Sequence, residues 1–266
     1  MKPTRAAIAA ATLFCSVLIG AGGETLAGHP LGTEDAGTQG KGNVEVEFNL
    51  ERQHGNDGTK ILSLGNIITM GVVPKIDLAV AYAYDFTKAE DGTKSRAMGP
   101  VVATLKTAII EGKYRLPTIG VKAGFSLPTA EGDQAALLAT AIAQWSFEPM
   151  TVFANVGADV GTHLAGNAEK NSSIRASVAG TYDLRKEWSL LSELLWEQQT
   201  SPSASSTAEG LIGAKKEITE TLSVNGGVRW GLNGDSPHVT CLLGFTLGFR
   251  GGPSARAAAS PAGDNK

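Results

Sequence analysis

The feature that most restricts this chain is its last regular segment. From Val239 to Phe249 every odd position is apolar, and the even positions are Thr240, Leu242, Gly244, Thr246 and Gly248. A period of two belongs to a strand, whose successive side chains point to opposite faces. The segment falls within the roughly 9–11 residues that a tilted strand needs to cross a bilayer. Its apolar face is continuous and its other face is small or polar. No helical alternative competes, because the only long apolar run, about residues 6–21, lies at the N-terminus. A membrane span without helices must be a closed barrel, the one other form that satisfies its own backbone in lipid.

The alternation recurs along the chain. Asn43–Gln53 sets Val44, Val46, Phe48 and Leu50 against Glu45, Glu47, Asn49 and Glu51. Ile76–Phe86, Thr118–Leu127, Val152–Val160, Ile174–Leu184, Trp188–Glu197 and Leu222–Trp230 repeat it. Thr59–Val72, Pro100–Ile110, Ala135–Phe147 and Ala208–Ile218 fill the gaps with weaker patterns; the first and last of these do not alternate cleanly. The expected fold is all-β, a transmembrane antiparallel up-and-down barrel of about 12 strands, and an even strand number suits a bacterial single-chain barrel. Short turns at Val73–Lys75, Glu148–Met150, Arg185–Glu187 and Thr219-Glu220 interleave with longer polar loops such as Thr87–Gly99, Gly161–Ser172 and Gln199–Thr207. That sorting separates a periplasmic rim from an external one, and it puts both termini in the periplasm. Tyr84, Phe86, Trp145, Phe147, Trp188, Trp196, Trp230 and Phe249 fall near strand ends, as interfacial girdles do.

The N-terminus explains how such a chain reaches an outer membrane. Lys2 and Arg5 precede the apolar run, and small-residue sites follow at Ala21 and Ala27. This is the layout of a cleaved secretory signal peptide, expected over 1–27, with cleavage after Ala27 or Ala21. Residues 28–42 then form a lead-in, 43–249 the barrel and 250–266 a disordered periplasmic tail. Cys241 is left as the single cysteine of the processed chain, so no internal disulfide is available. The 33 glycines suit short strands and turns better than helices, where each costs about 1 kcal/mol relative to alanine. A formal net charge of −3 offers no basic excess for nucleic acid.

Charged residues cannot face lipid cheaply, since Arg or Lys at the midplane costs about 2–4 kcal/mol. The alternation therefore sends Glu45, Glu47, Asp77, Asp85, Lys106, Lys122, Asp159, Arg175, Asp183, Glu193 and Arg229 into the lumen. Two readings remain open there: opposite charges fill the interior, or they line a path for small solutes. Barrels of about twelve strands lie between filled eight-stranded barrels and porins of sixteen or more. Catalytic constellations are thin. The four histidines are dispersed at 29, 54, 163 and 238, and Ser236 lies two residues from His238 in a loop. No catalytic residue, cofactor site or metal site is expected, and an outer-membrane lipase ranks below the non-enzymatic readings.

Three stretches carry a family resemblance. His29-Pro30-Leu31-Gly32-Thr33-Glu34-Asp35, running on to Gly40-Lys41-Gly42 before an acidic alternating strand, resembles the start of the MetA-pathway of phenol degradation family. Lys122–Thr129 and Gly231–Pro237 are similar to it as well, with Glu34 standing where the family tends to have Asp. The resemblance implies an outer-membrane barrel associated with aromatic-compound degradation, and supplies no site residues.

The functional expectation is passive uptake of a small solute, aromatic or hydrophobic, with a closed structural or adhesive barrel acting through its external loops as the alternative. The expected partners are the lipid bilayer and lipopolysaccharide, the small solute, and the outer-membrane assembly machinery through the strand ending at Phe249. The leader 28–42 is either a floppy periplasmic lead-in or a plug folded into the lumen. As a plug it would pair Glu34, Asp35 and Lys41 with Arg175, Arg229 or inward carboxylates.

Overall fold

A computed structural model describes residues 29–113, 115–129, 135–162, 172–185, 187–200 and 205–250. The expected signal peptide, the tail beyond Arg250, His163 and parts of the longer loops lie outside the described residues. Thirteen strands follow in chain order: β1 (Val44–His54), β2 (Lys60–Val73), β3 (Ile76–Lys88), β4 (Lys94–Met98), β5 (Val101–Ile110), β6 (Thr118–Leu127), β7 (Ala135–Phe147), β8 (Met150–Thr162), β9 (Ser173–Arg185), β10 (Trp188–Gln199), β11 (Ser206–Thr219), β12 (Leu222–Gly231) and β13 (Val239–Phe249). No helix among the described residues is long and apolar enough to cross a membrane.

Neighbours in sequence pair antiparallel, except that β4 and β5 both pair with β3, and β1 closes the sheet on β13 over its whole length, from Val44↔Phe249 to His54↔Val239. Closure leaves no open edge to be satisfied in lipid. The barrel has twelve staves, because β4 and β5 lie end to end along β3. The division falls at Gly99-Pro100. Proline has no N–H for the ladder, while Gly99 still donates to the Ala83 carbonyl at 2.9 Å. The expected loop Thr87–Gly99 is thus mostly strand, with β3 reaching Lys88 and β4 returning from Lys94. Polar composition hid it, because this extension rises clear of the alternating part of the sheet.

The tips of the β1–β2 and β3–β4 hairpins share the sequence Asp-Gly-Thr-Lys, at residues 57–60 and 91–94. Gly58 and Gly92 hold φ values of +79° and +88°, a left-handed backbone that glycine adopts without penalty. Asp57 accepts from the Thr59 N–H at 3.0 Å and Asp91 from the Thr93 N–H at 2.8 Å. These backbone bonds hold both exposed carboxyls below the usual carboxylate range.

Register sorts every stave into two faces. Phe48, Phe125, Leu137, Val156, Val178, Leu194, Ile212 and Phe245 point outward and are exposed. Their inward neighbours Glu47, Ser126, Asn155, Glu193 and Thr246 are buried. A water-soluble barrel would expose no such girdle of large apolar side chains; a transmembrane barrel requires it. Phe147, Trp188 and Phe249 fall at the short-turn rim, and Phe86, Trp196 and Trp230 toward the opposite one. Lys216 also points outward, next to that short-turn rim, with its ammonium 5.2 Å from the Trp188 ring centre.

The two staves that break alternation do so because of what lies inside. β11 turns Leu211 inward, where it joins Leu31, Phe153, Ala179, Leu191 and Leu242 in a buried apolar cluster within the barrel. β2 turns Ile67 inward beside the segment that precedes β1.

Candidate functional site

The segment before β1 runs through the lumen. Its route follows from the hydrogen-bonding groups that the alternation turns inward. Gly42 donates to the Gly71 carbonyl at 2.7 Å, which fixes the entry beside β2. A side chain at Gly71 would overlap the backbone of Gly40, so only glycine admits the leader there. The Gln39 N–H then meets Asp77 on β3 at 2.9 Å. The Ala36 N–H meets Gln144 on β7 at 3.0 Å. Asn155 on β8 takes the Glu34 N–H at 2.6 Å and returns a bond to the Glu34 carbonyl at 3.0 Å. Glu193 on β10 accepts from both the backbone and the hydroxyl of Thr33, at 2.6 and 2.7 Å. His29 ends the circuit between β1 and β12, with its N–H on Glu47 at 3.2 Å and its ring on Asn225 at 2.8 Å.

Electrostatics follow the same route. Glu34 pairs with Lys122, and Lys106 lies 3.4 Å from Asp35 and 4.0 Å from Glu34. Arg229 donates to the Pro30 carbonyl at 3.3 Å and lies 3.5 Å from Glu209 and 3.8 Å from Glu193. Thr33, Asp35 and Ala36 are each at most 3% exposed. Hydrogen bonds to charged groups contribute about 1.5–3 kcal/mol each, so several of them offset the entropy of ordering an aperiodic segment.

Seven of the sequence-derived lumen residues converge on this segment: Glu45, Glu47, Asp77, Lys106, Lys122, Glu193 and Arg229. Four do not. Arg175 and Asp159 pair with each other at 2.7 Å, above the leader. Asp85 accepts from Ser63 at 2.5 Å, higher on β3. Asp183 is exposed at the short-turn rim and accepts from Ser189 at 2.6 Å. The leader's carboxylates meet lysines rather than the arginines suggested as partners, because Lys106 and Lys122 face them on adjacent staves β5 and β6. Lys41 is exposed at the entry turn. Gln144 is the functional residue that the sequence concealed most fully, since it sits in a stave with a weak pattern.

The leader divides the lumen. Above it lies a chamber of about 500 Å³, floored by Gly32 and Glu34 and walled by Lys122, Arg175, Glu197, Glu209 and Arg229. Beside it lies a smaller cavity of about 90 Å³ against β1, β2, β3 and β5. Among the described residues no group of three acidic, histidine or cysteine side chains could hold a metal ion. Ser236 is spent on bracing its loop, its hydroxyl contacting the Ala208 carbonyl at 2.8 Å and Asn233 at 2.6 Å.

The sequence matches the family described as "Putative MetA-pathway of phenol degradation" over residues 27–249. No curated protein matches it. Among solved structures, an outer membrane channel from Pseudomonas putida F1 superposes with a TM-score of 0.61 at 14% identity, covering 84% of this chain and 100% of that one. The NanC porin gives 0.56 at 9% identity, over 77% of this chain and 98% of its own. The KdgM porin gives 0.50 at 11%, over 76% and 98%. All three are outer-membrane barrels, and at these identities they support the fold alone.

Proposed function

From the premise that this chain belongs to the phenol degradation family matched over residues 27–249, we propose that it is an outer-membrane channel for a small aromatic solute, with its leader as an internal barrier. The observation that carries the reading is the 500 Å³ chamber ending on Gly32 and Glu34. A cavity of about 150 Å³ accommodates a benzene ring, so the chamber has room for one ring with accompanying water. Its wall offers apolar surface from Val102, Leu138 and Leu195 beside hydroxyl, amide and charged groups. That mixture suits a ring bearing one polar substituent. The names of the similar structures, a channel and two porins, support passage.

In this reading the short-turn rim and both termini face the periplasm, since the longer loops of outer-membrane barrels lie outside. The bilayer and lipopolysaccharide surround the apolar girdle, and β13 ending at Phe249 presents the segment that the assembly machinery engages. The protein works without catalysis; the commitment of Ser236 to its loop supports that. A closed structural barrel is the rival, favoured by the dense bonding between leader and wall.

Liposome swelling with the purified barrel separates the two. Phenol-sized solutes should enter rapidly while disaccharides are excluded. Liposomes that admit neither, with the barrel folded, would favour the structural reading.

A further inference from the structure

A basic patch lies on the outside of the barrel, at the long-loop rim. Strands β1 to β4 bring His54, Lys60, Lys88 and Lys94 side by side in one register row. One step below, Arg52 and Arg96 flank Leu62 and Phe86 in the next row. Both rows lie on the outward face, since Leu62 and Phe86 are exposed while Asp85 and Ser63 bond to each other on the lumen side. All six basic side chains are exposed. Among the described residues none of them forms an ion pair with a neighbouring carboxylate. Asp57, Glu90 and Asp91 lie beyond the row at the hairpin tips, and Asp57 and Asp91 are spent on bonds within their own turns. On the same half of the other staves, the outward strand positions among the described residues carry no charge.

Like charges directly opposite each other in a ladder are destabilising. The row sets Lys60 against Lys88 and Lys88 against Lys94, so its charge calls for an anion from outside the chain. Three inter-strand spacings of about 4.8 Å make the row roughly 14 Å wide. Phosphate suits such a surface, because lysine and arginine both give it strong charge-assisted hydrogen bonds. Apolar surface begins directly beneath. Leu64 and Tyr84 continue the outward face below Leu62 and Phe86, and the Tyr84 and Phe86 rings meet edge to face at 5.0 Å. Cations above an apolar sheet match phosphates above acyl chains. A free anion would leave the apolar part unused, and a zwitterionic lipid would leave the charge unbalanced.

We propose that the outward face of β1–β4 at the long-loop rim is a binding site for a phosphorylated glycolipid of the outer leaflet. Its phosphates sit on the lysine row and on Arg52 and Arg96, and its acyl chains lie on Leu62 and Phe86. The bound lipid neutralises the row and so steadies the β3–β4 extension, in which β4 pairs with β3 alone. The site rests on the orientation proposed above, with the long loops outside, and does not depend on what crosses the lumen.

Native mass spectrometry of the folded barrel provides the test, with bisphosphorylated lipid A, its dephosphorylated form and inorganic phosphate as probes. The bisphosphorylated lipid should stay bound, and the other two should not. Replacing Lys60, Lys88 and Lys94 together by glutamine should weaken that binding roughly hundredfold. Lys216→Gln, which removes the outward cation of the opposite rim, should leave it unchanged. Equal retention of the phosphorylated and dephosphorylated lipids by the unaltered barrel would overturn the proposal without any variant, as would undiminished binding in the folded triple variant. Labelling of Glu90→Cys, made with Cys241→Ser, by a membrane-impermeant maleimide on intact cells reads the orientation separately. Absence of labelling would overturn the orientation and the site with it; labelling without lipid retention would overturn the site alone.

Discussion

Deleting residues 29–39 should raise the single-channel conductance in planar bilayers several-fold. The deletion takes away the floor of the 500 Å³ chamber and joins it to the space now occupied by the leader. It spares Gly40–Asn43, whose bonds to Gly71 anchor the entry to β2. The barrel should remain folded, because closure is carried by the β1–β13 ladder from Val44 to His54, in which the leader takes no part. What the deletion exposes is a polar wall. Glu47, Asp77, Lys106, Lys122, Glu193 and Arg229 exchange leader contacts for water, which solvates them at least as well. The apolar cluster loses Leu31 alone, a transfer term of about 1.5–3 kcal/mol that a closed sheet tolerates. A conductance unchanged by the deletion would show that the barrier lies elsewhere.

Lys106→Met should loosen the leader without opening the sheet. Methionine keeps most of the volume but removes the ammonium 3.4 Å from Asp35 and 4.0 Å from Glu34. Asp35 is then a carboxylate at 3% exposure with no cation beside it. Removing one partner of a buried ion pair costs about 3–5 kcal/mol. At about 1.4 kcal/mol per factor of ten, that weakens leader docking by roughly two to three orders of magnitude or slightly more. Bilayer recordings should therefore change from a steady low conductance to frequent excursions toward the level of the deletion. Adding Asp35→Asn removes the stranded charge and should restore much of the quiet behaviour. Excursions equally frequent in wild type and Lys106→Met would contradict this role, as would a double variant no quieter than the single one.

Most of the wall was legible in the sequence because a strand has only two faces. Once Val44, Val46 and Phe48 are assigned to lipid, Glu45 and Glu47 have no other place to go, and the same logic carries to Lys122, Arg175 and Arg229. The exceptions have a common cause. β11 obscures its period because Leu211 faces inward into the buried cluster that Leu31 joins, and that cluster draws on residues from the leader to the last strand. β4 is hidden because its five residues, Lys94–Met98, are all exposed and alternate with nothing.

The leader's path was not legible at all. Residues 29–42 have no period, and their course is set by acceptors 108 to 160 residues away, on Gln144, Asn155 and Glu193. Sequence spacing showed that charges would lie inside and that the leader carried countercharges. It did not show that Lys106 and Lys122, on neighbouring staves, would reach those countercharges before Arg175 or Arg229.

The seated leader can be tested most directly by a disulfide trap. A Cβ placed on Gly120 lies 3.5 Å from Cβ of Ala36, within the roughly 3.5–4.5 Å that disulfides span. The pair Ala36→Cys and Gly120→Cys, made with Cys241→Ser to remove the free thiol on the wall, should oxidise readily in isolated outer membranes. The crosslinked channel should stay in the low-conductance state even with Lys106→Met added, and reduction should bring back the excursions of that variant. Failure of the two cysteines to crosslink in folded barrels, or a crosslinked barrel that conducts like the leader deletion, would contradict a leader-occupied channel.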